Sequence, residues 1–254
     1  MLFIGWMVNM SDAIKNYRNM VEQPWGRMFY ELIYKQLNVS DSKRLKILDF
    51  GAGFCITADH YAKDHDVTAV EPSDEMRSLR VENNPYKLVC EGIDYLSGID
   101  DDSMDLVICH NVLEYTDDKE AILNQLVRVT KPGGLLSVVK HNLYGRVMAT
   151  AVMSDDPKTA LSLLNQKEEN SMFGRRDVYS IEWLNNLLAD KMTLINTYGI
   201  RTFFGLSSNN DIKYTEDWYQ AMLELETKAC SIDEYAKVAF FNHLIFAKKQ
   251  NAEM

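Results

Sequence analysis

The chain has 254 residues, 46% of them hydrophobic and 25% charged, which is the composition of a folded globular protein and excludes a disordered one. Its formal net charge of −10 excludes a broad basic surface for gripping nucleic acid but leaves room for a local basic pocket. Four scattered cysteines without a C-x-x-C pair, and five histidines without ligand spacing, read as reduced thiols in a cytoplasmic setting with no metal site.

Residues Met1 to Val8 are apolar, but the run is short and no basic residue precedes it, so it reads as a loose extension and not as a secretory signal. No apolar run approaches the roughly 18 residues of a spanning helix, so no membrane partner is expected. The spacing of Ile14, Tyr17, Met20 and Val21, and then of Met28, Phe29, Leu32, Ile33 and Leu37, predicts two helices over 11–37, broken at Pro24-Trp25-Gly26. Short apolar runs predict strands at 46–50, 67–71, 87–90, 105–109 and 134–140. Between them lie predicted helices at 57–63, 73–82 and 118–130, with Ser73 as a cap for the second. This alternation of nearly continuous apolar strands with helices predicts a parallel sheet covered on both faces.

The rhythm then changes. Residues 142–180 are polar and helical, too long for a simple crossover, and read as a cap inserted beside the sheet edge. A helix at 180–190, a strand at 193–203, a helix at 216–230 and a final strand at 243–249 follow. The predicted organisation is a single domain over 1–254 with an N-terminal helical lid (11–39) and the cap.

Ile47-Leu48-Asp49-Phe50-Gly51-Ala52-Gly53 ends the first strand and opens a helix, a place where glycines let the backbone turn sharply and a ligand approach closely. Val70-Glu71-Pro72 ends the next strand, and adjacent strand ends lie side by side at the crevice of a doubly wound sheet. Glu71 is thereby placed to accept both hydroxyl hydrogen bonds of a ribose. A nicotinamide dinucleotide site uses an acid in the same place, but its fingerprint needs a small residue where this chain has Ile56. A tight turn beside a surface glutamate is the remaining competitor.

Leu48-Asp49-Phe50-Gly51-Ala52-Gly53, Val70-Glu71-Pro72-Ser73-Asp74-Glu75-Met76, Asp105 through Tyr115 and Lys131-Pro132-Gly133-Gly134 resemble, in order and spacing, the motifs of class I S-adenosylmethionine-dependent methyltransferases. The resemblance implies a Rossmann-like α/β fold: a seven-stranded, mostly parallel sheet whose last strand is antiparallel. It implies S-adenosyl-L-methionine as cofactor, with Asp49, Gly51, Ala52 and Gly53 at the turn, Glu71 and Pro72 on the ribose, and Met76 near the adenine. Gly92, Ile93 and Asp94 would line the adenine edge, and Cys109, His110 and Asn111 would sit under the methionine half. Cys55 stands where the family often has a third glycine. Arg27 could pair with the methionine carboxylate, and Tyr17 or Tyr30 could close over the sulfonium; plain helix packing or a solvated charge is the alternative for each.

Tyr219 through Cys230, Gly199-Ile200-Arg201-Thr202-Phe203 and Asn142-Leu143-Tyr144-Gly145 resemble a narrower group, SmtA/CmoM. These bacterial enzymes methylate the carboxylate of 5-carboxymethoxyuridine at the tRNA wobble position. The implied partner is tRNA, although the lysine-rich cap of that group is reduced here to a short basic cluster ending in Arg175-Arg176, for which a solvated surface pair is the alternative. A carboxylate acceptor is ionised at neutral pH and needs a cation rather than a general base. Arg201 is the candidate cation, with His110, His141 and Tyr144 lining the site. A neutral hydroxyl or amine would instead need His110 or His141 as base. A small-molecule O- or N-methyltransferase and a non-catalytic S-adenosylmethionine-binding partner protein are the competing functions.

Overall fold

The computed structural model of the protein describes residues 10–39, 43–165, 168–171 and 174–250, with backbone alone for 10, 11, 168–171 and 174–176. The extension expected over the first nine residues lies outside them. Two helices lead the chain, α1 (Met10–Val21) and α2 (Pro24–Leu37). Pro24 occupies the first turn of α2, so Pro24-Trp25-Gly26 starts this helix rather than forming a turn; a proline loses nothing there because its missing N–H would have no partner. Gly26 is required by the tight junction, since a Cβ on it would lie 2.0 Å from the Val21 carbonyl oxygen.

The alternating part follows as β1 (Lys46–Phe50), α3 (Ile56–Ala62), β2 (Asp66–Val70), α4 (Asp74–Ser78), β3 (Lys87–Val89), β4 (Met104–His110), α5 (Lys119–Val129) and β5 (Thr130–His141). The hydroxyl of Ser73 caps α4, accepting from the Met76 N–H at 3.2 Å. This helix is shorter than its sequence suggests because the Val81 N–H is taken by the Phe54 carbonyl at 2.8 Å, which draws the chain away from the helix axis.

The expected helical cap is in part a hairpin. After α6 (Leu143–Val152) and α7 (Pro157–Leu164) come β6 (Glu168–Ser171) and β7 (Gly174–Asp177), paired antiparallel from Ser171↔Gly174 to Glu168↔Asp177. Glu168-Glu169-Asn170-Ser171 has no apolar alternation, so nothing in the sequence marks a strand. The chain ends with α8 (Ile181–Leu188), β8 (Met192–Ile200), α9 (Glu216–Ala229), a short α10 (Asp233–Ala236) and β9 (Phe241–Lys248).

Seven strands form one sheet in the order β3-β2-β1-β4-β5-β9-β8. β9, the last in sequence, runs antiparallel to both of its neighbours, and the pairs among β1 to β5 are parallel. Alternate strand residues go to opposite faces. Leu48, Phe50, Val107, Val138 and Phe246 pack with α5 and α8, while Ile47, Leu106, Ile108 and Ile245 pack with α2 and α3. A third cluster joins α2 and α9 through Met28, Leu32, Phe204 and Tyr219. These layers leave the carboxyl ends of β1, β2 and β4 together at one rim, beneath α1 and α2. Among the described residues no helix is long and apolar enough to cross a membrane.

Candidate active site

The turn after β1 is shaped by backbone that only some residues tolerate. Gly51 has φ +73, and a Cβ there would lie 2.3 Å from Val112 Cγ2. Gly53 has φ +55, and a Cβ on it would meet nothing within 4 Å, so open space lies against its backbone. The N–H groups of Gly51 and Ala52 hold the turn to the Val70 carbonyl at 2.8 and 3.0 Å. Cys55, in place of the third glycine, is itself left-handed (φ 55) at the start of α3 and fully buried. The departure is accommodated at a backbone cost of about 1–2 kcal/mol.

The Glu71 carboxylate, just past β2, accepts from the Gly53 N–H at 2.7 Å and from the Ser73 N–H at 2.8 Å. Burial raises its pKa, and these two bonds oppose the rise. Each oxygen keeps a further lone pair, which suits two adjacent hydroxyl donors. Asp49 is 3% exposed; its Oδ2 has no partner, and burial followed by the neighbouring Glu71 charge pushes its pKa up to about 7. Asn111, directly after β4, has φ 54 and a buried Oδ1 without a partner. His110 Nε2 lies 2.7 Å from Ser137 Oγ, and its Nδ1 is buried without a partner. The Cys109 thiol is buried, and burial pushes its pKa far up.

Asp49 Oδ2, His110 Nδ1 and Asn111 Oδ1 are thus three buried polar atoms without partners, beside a turn with open space and an acid with free lone pairs. That donor–acceptor balance fits a ligand carrying ribose hydroxyls and an ammonium group, as S-adenosylmethionine does. Pro72 and Asp94 are placed with Met76, Gly92 and Ile93 along the rim after β2 and β3, and the last three are partly buried or at its surface. Tyr17 packs its ring 5.4 Å from that of Phe54, and Tyr30 is close enough to Asp49 to feel its charge, so the N-terminal helices do cover the turn.

Arg27 is placed elsewhere. Its fork is held by Glu216 at 2.9 and 3.0 Å and by Glu31 at 2.8 Å, and it stacks on Tyr219 at 4.0 Å. With three of its five N–H donors on two carboxylates it ties α2 to α9, away from the turn after β1. The basic side chain that α1 brings to the turn is Arg18, which donates to the Leu79 carbonyl at 3.1 Å and lies 5.6 Å from the Phe54 ring. The sequence does not single it out.

On the far side of the rim, β8 stops at Ile200 because Arg201 takes φ 60 and the next three N–H groups turn inward. Those of Thr202, Phe203 and Phe204 donate to the Glu226 carboxylate at 2.9, 2.8 and 2.8 Å. Glu226 is fully buried and forms no contact ion pair with Arg201 among the described residues. The other acid on that helix turn, Glu224, pairs with Lys228 at 2.5 Å. The Arg201 guanidinium instead lies over Phe240, Phe204 and Phe241 at 5.1, 5.6 and 5.9 Å, with its Nε buried and partnerless. Burial lowers its pKa to about 10, opposed by Glu226. Lys213, 4% exposed, sits 4.9 Å from the same Phe204 ring and donates to Ser207 O and Asn210 Oδ1.

His141 shares this wall, its ring 4.8 Å from that of Phe241. Its backbone N–H donates to Glu114 Oε1 at 2.8 Å, and its Nδ1 lies 3.3 Å from the same oxygen. Burial alone would raise the Glu114 pKa, but the bonds from His141 bring it below the usual value. Tyr144 does not line the site as expected: its side chain is 62% exposed. Gly145 is the residue of that helix turn pressed inward, since a Cβ on it would meet the Ala239 carbonyl oxygen at 1.9 Å, and this faces Tyr144 outward. Arg175 and Arg176 are on β7, where only the backbone is described.

Residues 48–138 match the Methyltransferase domain family. Over 96% of its length the chain is 24% identical to the tRNA 5-carboxymethoxyuridine methyltransferase of Escherichia coli K12, 98% of which is covered. The fold is shared with an S-adenosylmethionine-dependent methyltransferase from Mesorhizobium loti (TM-score 0.56, 16% identity, 84% of this chain and 95% of that one). It is shared as well with the plantazolicin methyltransferase in complex with SAH (TM-score 0.57, 17% identity, 96% and 93%). With the glycine turn, the acid after β2 and the strand order all in place, the chain is a class I S-adenosylmethionine-dependent methyltransferase.

Proposed function

We propose that the methyl acceptor is a carboxylate held by Arg201, and that this carboxylate belongs to a modified wobble uridine of tRNA. The observation that carries the reading is Arg201 itself. A guanidinium enclosed by three phenyl rings, with a buried donor unused and no carboxylate in contact among the described residues, is costly unless an anion completes it. A planar fork matches a carboxylate bidentately, which fixes the direction in which an oxygen lone pair points. The cofactor, when bound, supplies an electrophilic methyl group. The protein's task is then orientation, worth up to about 7–11 kcal/mol in well-aligned systems. A carboxylate needs no base, which agrees with a His110 held neutral by burial.

The tRNA part of the reading is supported by the full-length similarity to the Escherichia coli enzyme. Arg175 and Arg176 on the hairpin are the residues assigned to phosphate contacts. The net charge of −10 favours a second reading, a small carboxylic acid as acceptor with the same Arg201 role. Mass spectrometry of tRNA nucleosides from cells with and without the gene separates them. Loss of a carboxyl-methylated uridine on deletion is the expected result, and an unchanged nucleoside profile rejects tRNA as acceptor.

A further inference from the structure

A chain of buried hydrogen bonds crosses the sheet from β8 to the end of β4. Gln36 Nε2 lies 2.9 Å from the Gly199 carbonyl oxygen, and Gln36 Oε1 lies 2.8 Å from His243 Nδ1. His243 Nε2 lies 2.8 Å from Ser137 Oγ, which lies 2.7 Å from His110 Nε2. Gln36, Ser137 and His243 are each at most 8% exposed, so the bonds from Gly199 to Ser137 are buried, and the bond to His110 is partly buried.

The chain has only one polarity. A carbonyl oxygen can only accept, so the Gly199 end fixes the Gln36 amide with its nitrogen toward Gly199 and its oxygen toward His243. That oxygen can only accept, so His243 carries its proton on Nδ1 and its Nε2 is a bare acceptor. The Ser137 hydroxyl must then donate to His243, and its oxygen receives the Nε2–H of His110. Burial lowers the His243 pKa to about 3 and that of His110 well below its usual value, so neither ring takes the second proton that would blur the assignment. His110 is left with a bare Nδ1, buried and without a donor. Asp49 pairs with Ile108 across β1 and β4, so Asp49 and His110, two residues further on, share one sheet face at the cofactor rim.

We propose that Gln36, His243 and Ser137 are positioning residues that fix His110 as the neutral Nε2–H tautomer, so that its Nδ1 is a preformed acceptor for an N–H or O–H donor of the bound cofactor. An imidazolium in that place would put a positive charge in a site that must take a cationic cofactor; the chain prevents this by committing one ring nitrogen as donor and burying the other. It also joins the two sides of the site, since Gly199 lies two residues before Arg201. The inference rests on the methyltransferase assignment and not on the identity of the acceptor.

The test is nitrogen NMR of the ¹⁵N-histidine-labelled protein with and without S-adenosylhomocysteine, with the His110 signals assigned from their loss in His110→Gln. The free protein should show a protonated, pyrrole-like Nε2 and an unprotonated, pyridine-like Nδ1. S-adenosylhomocysteine should move Nδ1 toward the hydrogen-bonded range and leave Nε2 protonated. Ser137→Ala should mix the two tautomers and weaken S-adenosylhomocysteine binding about tenfold. Ser137→Thr, which keeps a hydroxyl, should restore both. A proton on Nδ1 of the free wild-type protein overturns the proposal without any variant. So does an Nδ1 signal that the bound ligand does not move, or a Ser137→Ala protein with wild-type tautomer and affinity. Calorimetric failure of the wild type to bind S-adenosylhomocysteine at all would instead count against the methyltransferase assignment.

Discussion

The two sides of the crevice are built by different means. The cofactor side is mostly local: the groups from Asp49 to Ser73 come from one β-α-β unit, joined by His110 and Asn111 at the end of β4, and backbone N–H groups do much of the holding, as at Glu71. The side proposed to hold the acceptor is assembled from distant segments, with Arg201 after β8, Phe240 and Phe241 at the start of β9, Glu226 from α9 and His141 ending β5. A local unit leaves a compact mark in the sequence and carries the shared cofactor. The distributed wall can change one residue at a time, and under the proposed function it is the side that selects the acceptor.

The strongest way to break this contrast is Glu226→Ala. It strands three backbone N–H groups, two of them buried, and removes a negative charge that Arg201 feels, and should cost about 3–5 kcal/mol in denaturant unfolding. The folded fraction should still bind S-adenosylhomocysteine, because the cofactor side is untouched. Wild-type stability in this variant would show that Glu226 does not tie the turn. Glu71→Ala is the mirror experiment, expected to weaken cofactor affinity by about 1.5–3 kcal/mol in calorimetry while leaving the acceptor KM near its normal value.

Asp49 sharpens the comparison through pH. Its folded pKa of about 7 lies above the ordinary carboxylate value of 3.8, so its contribution to stability is intact below the lower value and is lost as pH rises through the higher one. Asp49→Asn should therefore match the free wild type near pH 4 and exceed its stability at pH 8. The gain should be roughly 1–2 kcal/mol, less than the shift alone implies because water and relaxation soften a buried charge. A gain that is larger at acid pH would contradict the assignment. The smallest expected effect is on the hairpin: replacing Arg175 and Arg176 by Ala should lower the salt slope of tRNA binding by about 1–2 units. Salt-independent wild-type binding would remove their role.

Much of the cofactor side is legible in the sequence because strand ends, glycines and an acid at fixed spacing leave few alternatives. β1 falls where its apolar run predicts, and Ser73 caps α4 as its position suggests. The acceptor side is legible only in part. Arg201 stands out as a charge in an apolar strand, but nothing local shows that Glu226 would be spent on backbone N–H groups rather than on Arg201. Arg27 fails as a cofactor ligand for the same reason: Glu216 lies 189 residues away in sequence, and only the packing of α2 on α9 brings them together. Tyr144 stands at a motif position, yet a close approach at Gly145 turns it out to solvent. The Gln36–His243–Ser137–His110 chain is invisible in sequence, since its members come from four separate elements.

The central claim, that Arg201 holds the acceptor carboxylate and not a protein acid, is tested most directly by Arg201→Lys, assayed for turnover, cofactor affinity and melting together. Lysine keeps the charge and loses the fork. The account predicts a fall in kcat/KM of about tenfold or more, with S-adenosylhomocysteine affinity and thermal stability close to wild type. A large drop in stability with normal turnover per folded molecule would contradict it and identify Arg201 as a structural cation.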